Sequence, residues 1–337
     1  MLPGVRVPHT GRMKPNKIAD LVEQRWPRGP VASTGQLADS RLESRLVAAA
    51  VEAGVILRLR RGAYVRRTYW GALKPWDQDR LLVMAHYEST GGYARYSHVS
   101  AAMLHRCDVW NAGTKVHVTT QYSNSRTSAG KDVRTHRLPL APGDLASLWT
   151  PDGREILTTT IERTVLDCAR ILPRAQAAVI GDHALRKGAS LDGMRRLLDT
   201  SPVKRGSRRA ADLLDVLDAR SESAGETRTR LLLYSFGLTR FTPQVEIPTG
   251  EGLFRADFAD DVARVAIEFD GAGKYFDYKP TGEVLVAERR RETALVESGW
   301  RVFRLRWKHL DRPGELRRRL LDFLGGPPGK QKRPWPA

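Results

Sequence analysis

Three acids, Asp257, Glu268 and Asp270, sit in two short runs that alternate as β-strands do. In Phe254-Arg-Ala-Asp257-Phe258-Ala259, Asp257 points opposite to Ala256 and Phe258. In Val265-Ala-Ile-Glu268-Phe-Asp270-Gly271, Val265, Ile267 and Phe269 share one face, and Ala266, Glu268 and Asp270 share the other. Asp260-Asp261 and the next two residues supply a turn. Pairing about that turn sets Asp257 opposite Ala266, with Glu268 on the diagonal, roughly 7–8 Å away. Acids are poor strand formers, so three on one face need a reason. Two carboxylates gripping one divalent cation for phosphodiester chemistry is the best one; a solvated sheet face meeting water or arginines is the alternative.

The flanking elements place these acids at the centre of a unit. Ser223-x-x-Glu226 heads a preceding helix in a helix-capping pattern. Glu283 to Ser298 reads as a helix bearing Glu288, Arg289, Arg290, Arg291 and Glu292, stopped by Gly299. Trp300-Arg-Val-Phe-Arg-Leu-Arg-Trp307 alternates as a strand. The order is helix, hairpin, helix, strand.

From about Ser223 to Leu324 the chain resembles the PD-(D/E)xK nuclease superfamily in its very-short-patch-repair-like branch. The matching pieces are Ser223-x-x-Glu226, Ala256-Asp257-Phe258, Ala266-Ile-Glu268-Phe-Asp270-Gly271, Lys274-Tyr275, Glu288-x-x-Arg291-Glu292-x-x-Leu295 and Gly299-Trp300-Arg-Val-Phe-Arg304. The resemblance implies a restriction-endonuclease-like α/β/α core and a Mg²⁺ (or Mn²⁺) dependent DNA endonuclease. Asp257 and Glu268 would then be catalytic metal ligands, with Glu226 completing the site and Arg291 touching DNA. The pattern expects Lys two residues after the acid, where this chain has Asp270. Lys274 would act as a migrated lysine; without it the nuclease fold is inactive.

A second constellation lies near the start. Lys17 to Trp26 carries an apolar stripe of Ile18, Leu21 and Val22. Ser33 caps Thr34 to Asp39, and Ser40 caps Arg41 to Ala53, with Leu42, Leu46, Ala49 and Ala53 inward. Val55 to Val65 alternates about a turn, a basic two-stranded wing. Three helices and a basic hairpin make a winged helix-turn-helix, whose third helix enters the major groove of double-stranded DNA. Gly54-Val-Ile-x-Arg58-Leu-x-Arg61-Gly62-x-Tyr64 is similar to the amino-terminal module of AbiEi-type antitoxins. By that likeness Arg41, Ser44 and Arg45 meet bases or phosphates, and Arg58, Arg60 and Arg61 hold the phosphate backbone. A winged helix used for protein contacts is the other reading.

Between these lies a mixed α/β middle region. Tyr96-Ser97-His98-Val-Ser100-Ala-Ala102 and Glu162-Arg163-Thr164-Val-Leu-Asp167 resemble the central part of AbiEi-like proteins, and Lys115 to Thr119 reads as a strand. Ser97, His98 and Asp167 invite a catalytic reading, but no glycine-rich elbow surrounds either serine, and Arg163 with Asp167 is an i, i+4 pair. The expected organisation is α+β multidomain: a flexible basic tail (1–15), a winged helix-turn-helix (16–70), the middle domain (71–205, ending in the basic linker candidate 202–209), the nuclease-like domain (206–326, opening with a helix from Ala210 to Arg220) and a disordered basic tail (327–337).

The whole chain of 337 residues carries a net charge of +18, which favours a polyanionic partner. Residues 1–70 hold 13 Lys/Arg against 5 Asp/Glu, and residues 206–326 hold 21 against 20, so the electrostatic handle is amino-terminal. No apolar run reaches the ~20 residues that cross a bilayer. The opening Met1-Leu-Pro-Gly-Val-Arg lacks the apolar core of a signal peptide, so a cytoplasmic protein without a membrane partner is expected. Cys107 and Cys168 lie far apart, and no histidine stands at metal-binding spacing from another. Two functions fit: a DNA-cutting enzyme in host defence, toxin-antitoxin biology or repair, or an antitoxin-like repressor with a cognate toxin whose nuclease fold serves only for binding.

Overall fold

The computed structural model describes residues 13–120, 130–271 and 282–325; Lys274, residues 1–12 of the amino-terminal tail and the 327–337 tail lie outside them. The chain is mixed α+β with several sheets. It divides into two compact units: Met1–Tyr96, Thr114–His136 and Leu145–Thr158, and then Ser97–Gly113, Arg137–Asp144 and Thr159–Ala337. The strands of the middle region fall mainly in the first unit, together with its helix Pro75–Thr90, and its other helices fall in the second.

The first unit runs α1 (Pro15–Arg25), β1 (Val31–Ser33), α2 (Thr34–Asp39), α3 (Ser44–Glu52), β2 (Ile56–Arg60), β3 (Ala63–Arg66), α4 (Arg67–Ala72) and α5 (Pro75–Thr90), then β4 (Val116–Thr120), β5 (Val133–Arg137), β6 (Leu145–Trp149) and β7 (Glu155–Thr159). β3 is the central strand of a β1-β3-β2 sheet with antiparallel pairing on both sides. Ser33 and Gln36 form a reciprocal capping box that starts α2. The helix expected from Arg41 to Ala53 under a Ser40 cap does not form as such. Ser40 instead closes α2, Arg41 takes φ 60°, and α3 begins at Ser44. The backbone N–H groups of Arg41 and Leu42 reach back to Ala38 and Leu37 carbonyls, a left-handed helix termination stapled by Leu42 against Leu37 in the core. Ile18, Val22, Val47, Ala50 and Ile56 complete that core. Val47 and Ala50 are the fully buried positions of α3, Leu46 and Ala49 pack partly buried against the same core as expected, and Ala53, beyond the end of the helix, is exposed.

The second unit contains α6 (His98–Leu104), α7 (Ile161–Ile171), α8 (Arg174–Arg186), α9 (Leu191–Asp199), α10 (Ser207–Leu214) and α11 (Ala224–Ser235). The helix expected from Ala210 to Arg220 thus begins and ends earlier. Next come β8 (Thr242–Thr249), β9 (Gly252–Asp260), β10 (Val265–Asp270), α12 (Gly282–Glu297), β11 (Arg301–Arg306), α13 (Trp307–Leu310) and α14 (Pro313–Gly325). The sheet order is β11-β10-β9-β8. β10 and β11 are parallel, with α12 in the crossover between them, and the other pairs are antiparallel. Phe258, Val265, Ile267, Phe303 and Leu305 pack on Leu233 of α11 and on Leu310, Leu316 and Leu320 of α13 and α14. Ala259, Ala266 and Val302 pack with Leu295 of α12. The sheet therefore has helices on both faces.

Helix α11 is fixed from both flanks. Asp182 of α8 accepts hydrogen bonds from Thr227 and Arg230, each donor relieving part of the cost of burying that carboxylate. Arg228 lies against the indoles of Trp110 and Trp307, 3.9 and 5.7 Å from their centroids, and donates to the Leu310 carbonyl and the Asp311 carboxylate. At its first turn, a Cβ on Gly225 would lie 1.9 Å from the Phe269 ring. Gly225→Ala is therefore expected to lower stability by about 1–3 kcal/mol through overpacking, read as a fall in the urea midpoint with an unchanged denaturant slope.

Candidate active site

The hairpin that carries the acids turns one residue later than expected. Asp260 ends β9 opposite Val265 instead of opening the turn. Its buried carboxylate accepts the N–H groups of Val262 and Ala263, each at 3.0 Å, and pairs with Arg240 at 3.1 Å. The turn is then Asp261 to Arg264, with Arg264 at φ 50°. A one-residue displacement shifts the register by two, so Ala266 faces Ala259, and the ladder stops at Ile267 opposite Phe258. Next in line on the two strands stand Glu268 and Asp257, directly across from each other rather than diagonal.

There the side chains replace the ladder. Oε1 of Glu268 accepts the Asp257 N–H at 3.3 Å, and Oδ2 of Asp257 accepts the Phe269 N–H at 2.7 Å. Neither carboxylate is ion-paired to Arg or Lys among the described residues. Burial pushes Asp257 up to about 6, with the charges of Glu226 and Glu222 adding to the rise and the Phe269 N–H opposing it. Burial likewise pushes Glu268 up to about 8, with the Asp257 charge next in size.

Glu226 sits in the first turn of α11, buried, where its N–H donates to the Ser223 hydroxyl, so the capping role holds. Its carboxylate accepts the Glu222 N–H at 2.9 Å and the Gln244 amide at 2.8 Å. Gln244 has φ 56° and interrupts the β8–β9 ladder beside Asp257, a strained backbone position at the site. Glu226 is near enough to raise both other acids, but the three do not gather with ligand oxygens all within 4.8 Å. Asp270 faces Arg306 across β10 and β11 and pairs with it at 3.1 Å; its charge is spoken for. Two half-buried acids held above the usual carboxylate range fit a hard divalent cation such as Mg²⁺ or Mn²⁺, which favours oxygen ligands.

In the first unit, Arg41 occupies the turn before α3, and Ser44 and Arg45 its exposed first turn. Arg58 and Arg61 are exposed on the β2–β3 hairpin. Arg60 differs from the expectation: it is turned inward onto Asp132 at 3.4 Å, its side chain 17% exposed. Lys14 and Arg25 of the α1 region join Arg41 and Arg45 along one groove of about 800 Å³, a grouping that linear spacing hides. Arg291 is exposed on α12. His117 and His136 also escaped the spacing rule. They meet across β4 and β5, nitrogen to nitrogen at 3.1 Å, both pushed down by burial, to about 3 and about 4. Ser97 bonds His98 at 2.9 Å, while Asp167 is held by Arg163 and Arg170, so the acid of the tempting triad serves the arginines.

The raised acids predict an inverted pH response for the metal-free protein. Both are protonated in either state below the usual carboxylate range. As pH rises, the unfolded chain releases its protons first, so stability falls until the folded groups ionise, near 6 and near 8. In EDTA, melting temperature is expected to decline from about pH 5 to about pH 8. Glu268→Gln should flatten the upper part of that decline and exceed wild type in melting temperature above it. A wild-type curve that rises with pH, unchanged by the substitution, contradicts the assignment.

No helix among the described residues is long and apolar enough to cross a membrane. No family model matches the chain. Two uncharacterized proteins of Mycobacterium tuberculosis, one from each of two strains, are similar to it: each is 27% identical over 277 residues, covering 80% of this chain and 95% of the relative.

Proposed function

We propose that the chain is a DNA-binding protein with a metal-dependent endonuclease site: α1 to β3 act as a winged helix-turn-helix on double-stranded DNA, and the layered unit around β8 to β11 acts as a restriction-endonuclease-like core. The observation that carries the reading is the facing of Asp257 and Glu268 where β9 and β10 part, both half-buried and raised, with no guanidinium of the described residues bonded to either. The parallel β10–α12–β11 crossover beside an antiparallel hairpin, and the order of small helices and strands ahead of the basic β2–β3 hairpin, support it.

Asp257 and Glu268 would hold Mg²⁺ or Mn²⁺, with Glu226 behind them. The ion supplies charge compensation at the phosphate and a more acidic water. In the hydrolysis, a water oxygen bonds to phosphorus, the phosphorus–oxygen bond to one sugar breaks, and the departing sugar oxygen ends protonated. Glu268 and Asp257 would act as ligands to the ion, and the proton lost by the water would pass to solvent. Host defence, toxin-antitoxin biology or DNA repair would employ such a protein.

One observation favours a second reading. Asp270 stands where a catalytic lysine is expected and is neutralised by Arg306. On that reading the chain is an antitoxin-like repressor with a cognate toxin, and the layered unit only clamps DNA.

Supercoiled plasmid in Mg²⁺ or Mn²⁺ separates the two. The endonuclease reading expects nicking or linearisation that Asp257→Ala and Glu268→Ala each abolish; cutting that survives both removes the site. Absence of cutting together with tight, strongly salt-dependent operator binding selects the repressor. For the DNA-binding unit, Arg58→Ala and Arg61→Ala should each weaken binding and reduce the log–log salt slope by about 1. Arg60→Ala should leave the slope unchanged, because that side chain faces Asp132.

A further inference from the structure

We propose that Arg304 supplies the cation that stabilises the scissile phosphate, taking on the neighbouring strand the place that Asp270 vacates two residues after Glu268; the proposal rests on the endonuclease reading. The parallel register of β10 and β11 sets Arg304 beside Glu268, as it sets Arg306 beside Asp270. Neighbouring strands lie roughly 4.7–4.9 Å apart, and side chains at paired positions project from the same face. A cation displaced sideways onto β11 therefore reaches the same region as one displaced along β10.

Among the described residues, Arg304 is the guanidinium near the acids whose attachments suit the role. Arg306 is engaged by Asp270, and Arg255 by Glu222. Arg304 pairs with Glu292 of α12 at 3.2 Å and makes no ion pair with Glu268, so the carboxylate beside it stays open to a metal. Its side chain is 40% exposed, and its Nε is buried without a hydrogen-bond partner among the described residues. A planar fork with donor capacity to spare suits the paired oxygens of a phosphodiester.

The test uses the full chain, supercoiled plasmid and Mn²⁺, with Arg304→Met, Arg304→Lys, Glu292→Gln and Glu268→Ala. Mn²⁺ affinity without DNA is measured in parallel by calorimetry. Arg304→Met is expected to cut roughly 100-fold more slowly while binding Mn²⁺ at least as tightly as wild type, since a competing charge beside Glu268 is gone. Arg304→Lys should recover part of the rate, and Glu292→Gln, which breaks the ion pair but keeps the guanidinium, should cut well. Wild-type cutting by Arg304→Met, with Glu268→Ala inactive, overturns this proposal and leaves the endonuclease reading standing. Equal losses of cutting and melting temperature in Arg304→Met and Glu292→Gln overturn it too, making the ion pair structural. A wild-type protein that cuts nothing overturns the endonuclease reading, and this proposal with it.

Discussion

Two carboxylates brought face to face at the rim of a half-buried sheet repel one another, and a low-dielectric setting makes that repulsion strong. A proton relieves it, and on the endonuclease reading a divalent ion would relieve it too. Asp257 and Glu268 are in that position because the β9–β10 ladder stops one pair short of them. Each then accepts a backbone N–H at the place where a strand partner would have been. The acids thus act as terminators of the β9–β10 pairing. The surrounding helices, the layered core and the neighbouring Arg304 all bear on how that repulsion is resolved.

Much of this unit was legible in linear form. Alternation in Val265 to Asp270 assigned its faces, Gly299 marked the end of α12, and Ser223 the start of α11. The register was not legible. It depends on whether Asp260 belongs to the strand or the turn, which is decided by two N–H bonds and an arginine twenty positions upstream. Turn chemistry names residues that like turns but does not count which of two adjacent aspartates leads. The same limit hid the end of α2, where Arg41 accepts a left-handed backbone because Leu42 gains a buried place against Leu37. Arg60 looked like a phosphate contact from its neighbours alone; only the fold brings Asp132 to it. His117 and His136 meet for an equally non-local reason, one strand folding against another.

The helices of the second unit are tied by buried charge as well as apolar packing. Asp167 sits between Arg163 and Arg170, and Asp182 between Arg230 and Thr227. Such pairs offset their own desolvation more than they add net stability, but they permit one arrangement of α7, α8 and α11 and penalise others. This explains why an Arg-Thr-x-x-Asp pattern can look catalytic in one dimension while serving as a fastening in three.

The close seat of Gly225 on the Phe269 ring has a consequence for how such a protein diversifies. The third acid follows Gly225 directly, and the second acid directly precedes Phe269, so one ring-on-backbone contact gauges the gap between two groups on separate elements. Bulk gained at position 225 must be surrendered at position 269, or the spacing of the acids changes. Chains that keep this spacing of acids should exchange size between those two sites as a linked pair, and chains that lose the acids are released from that bond.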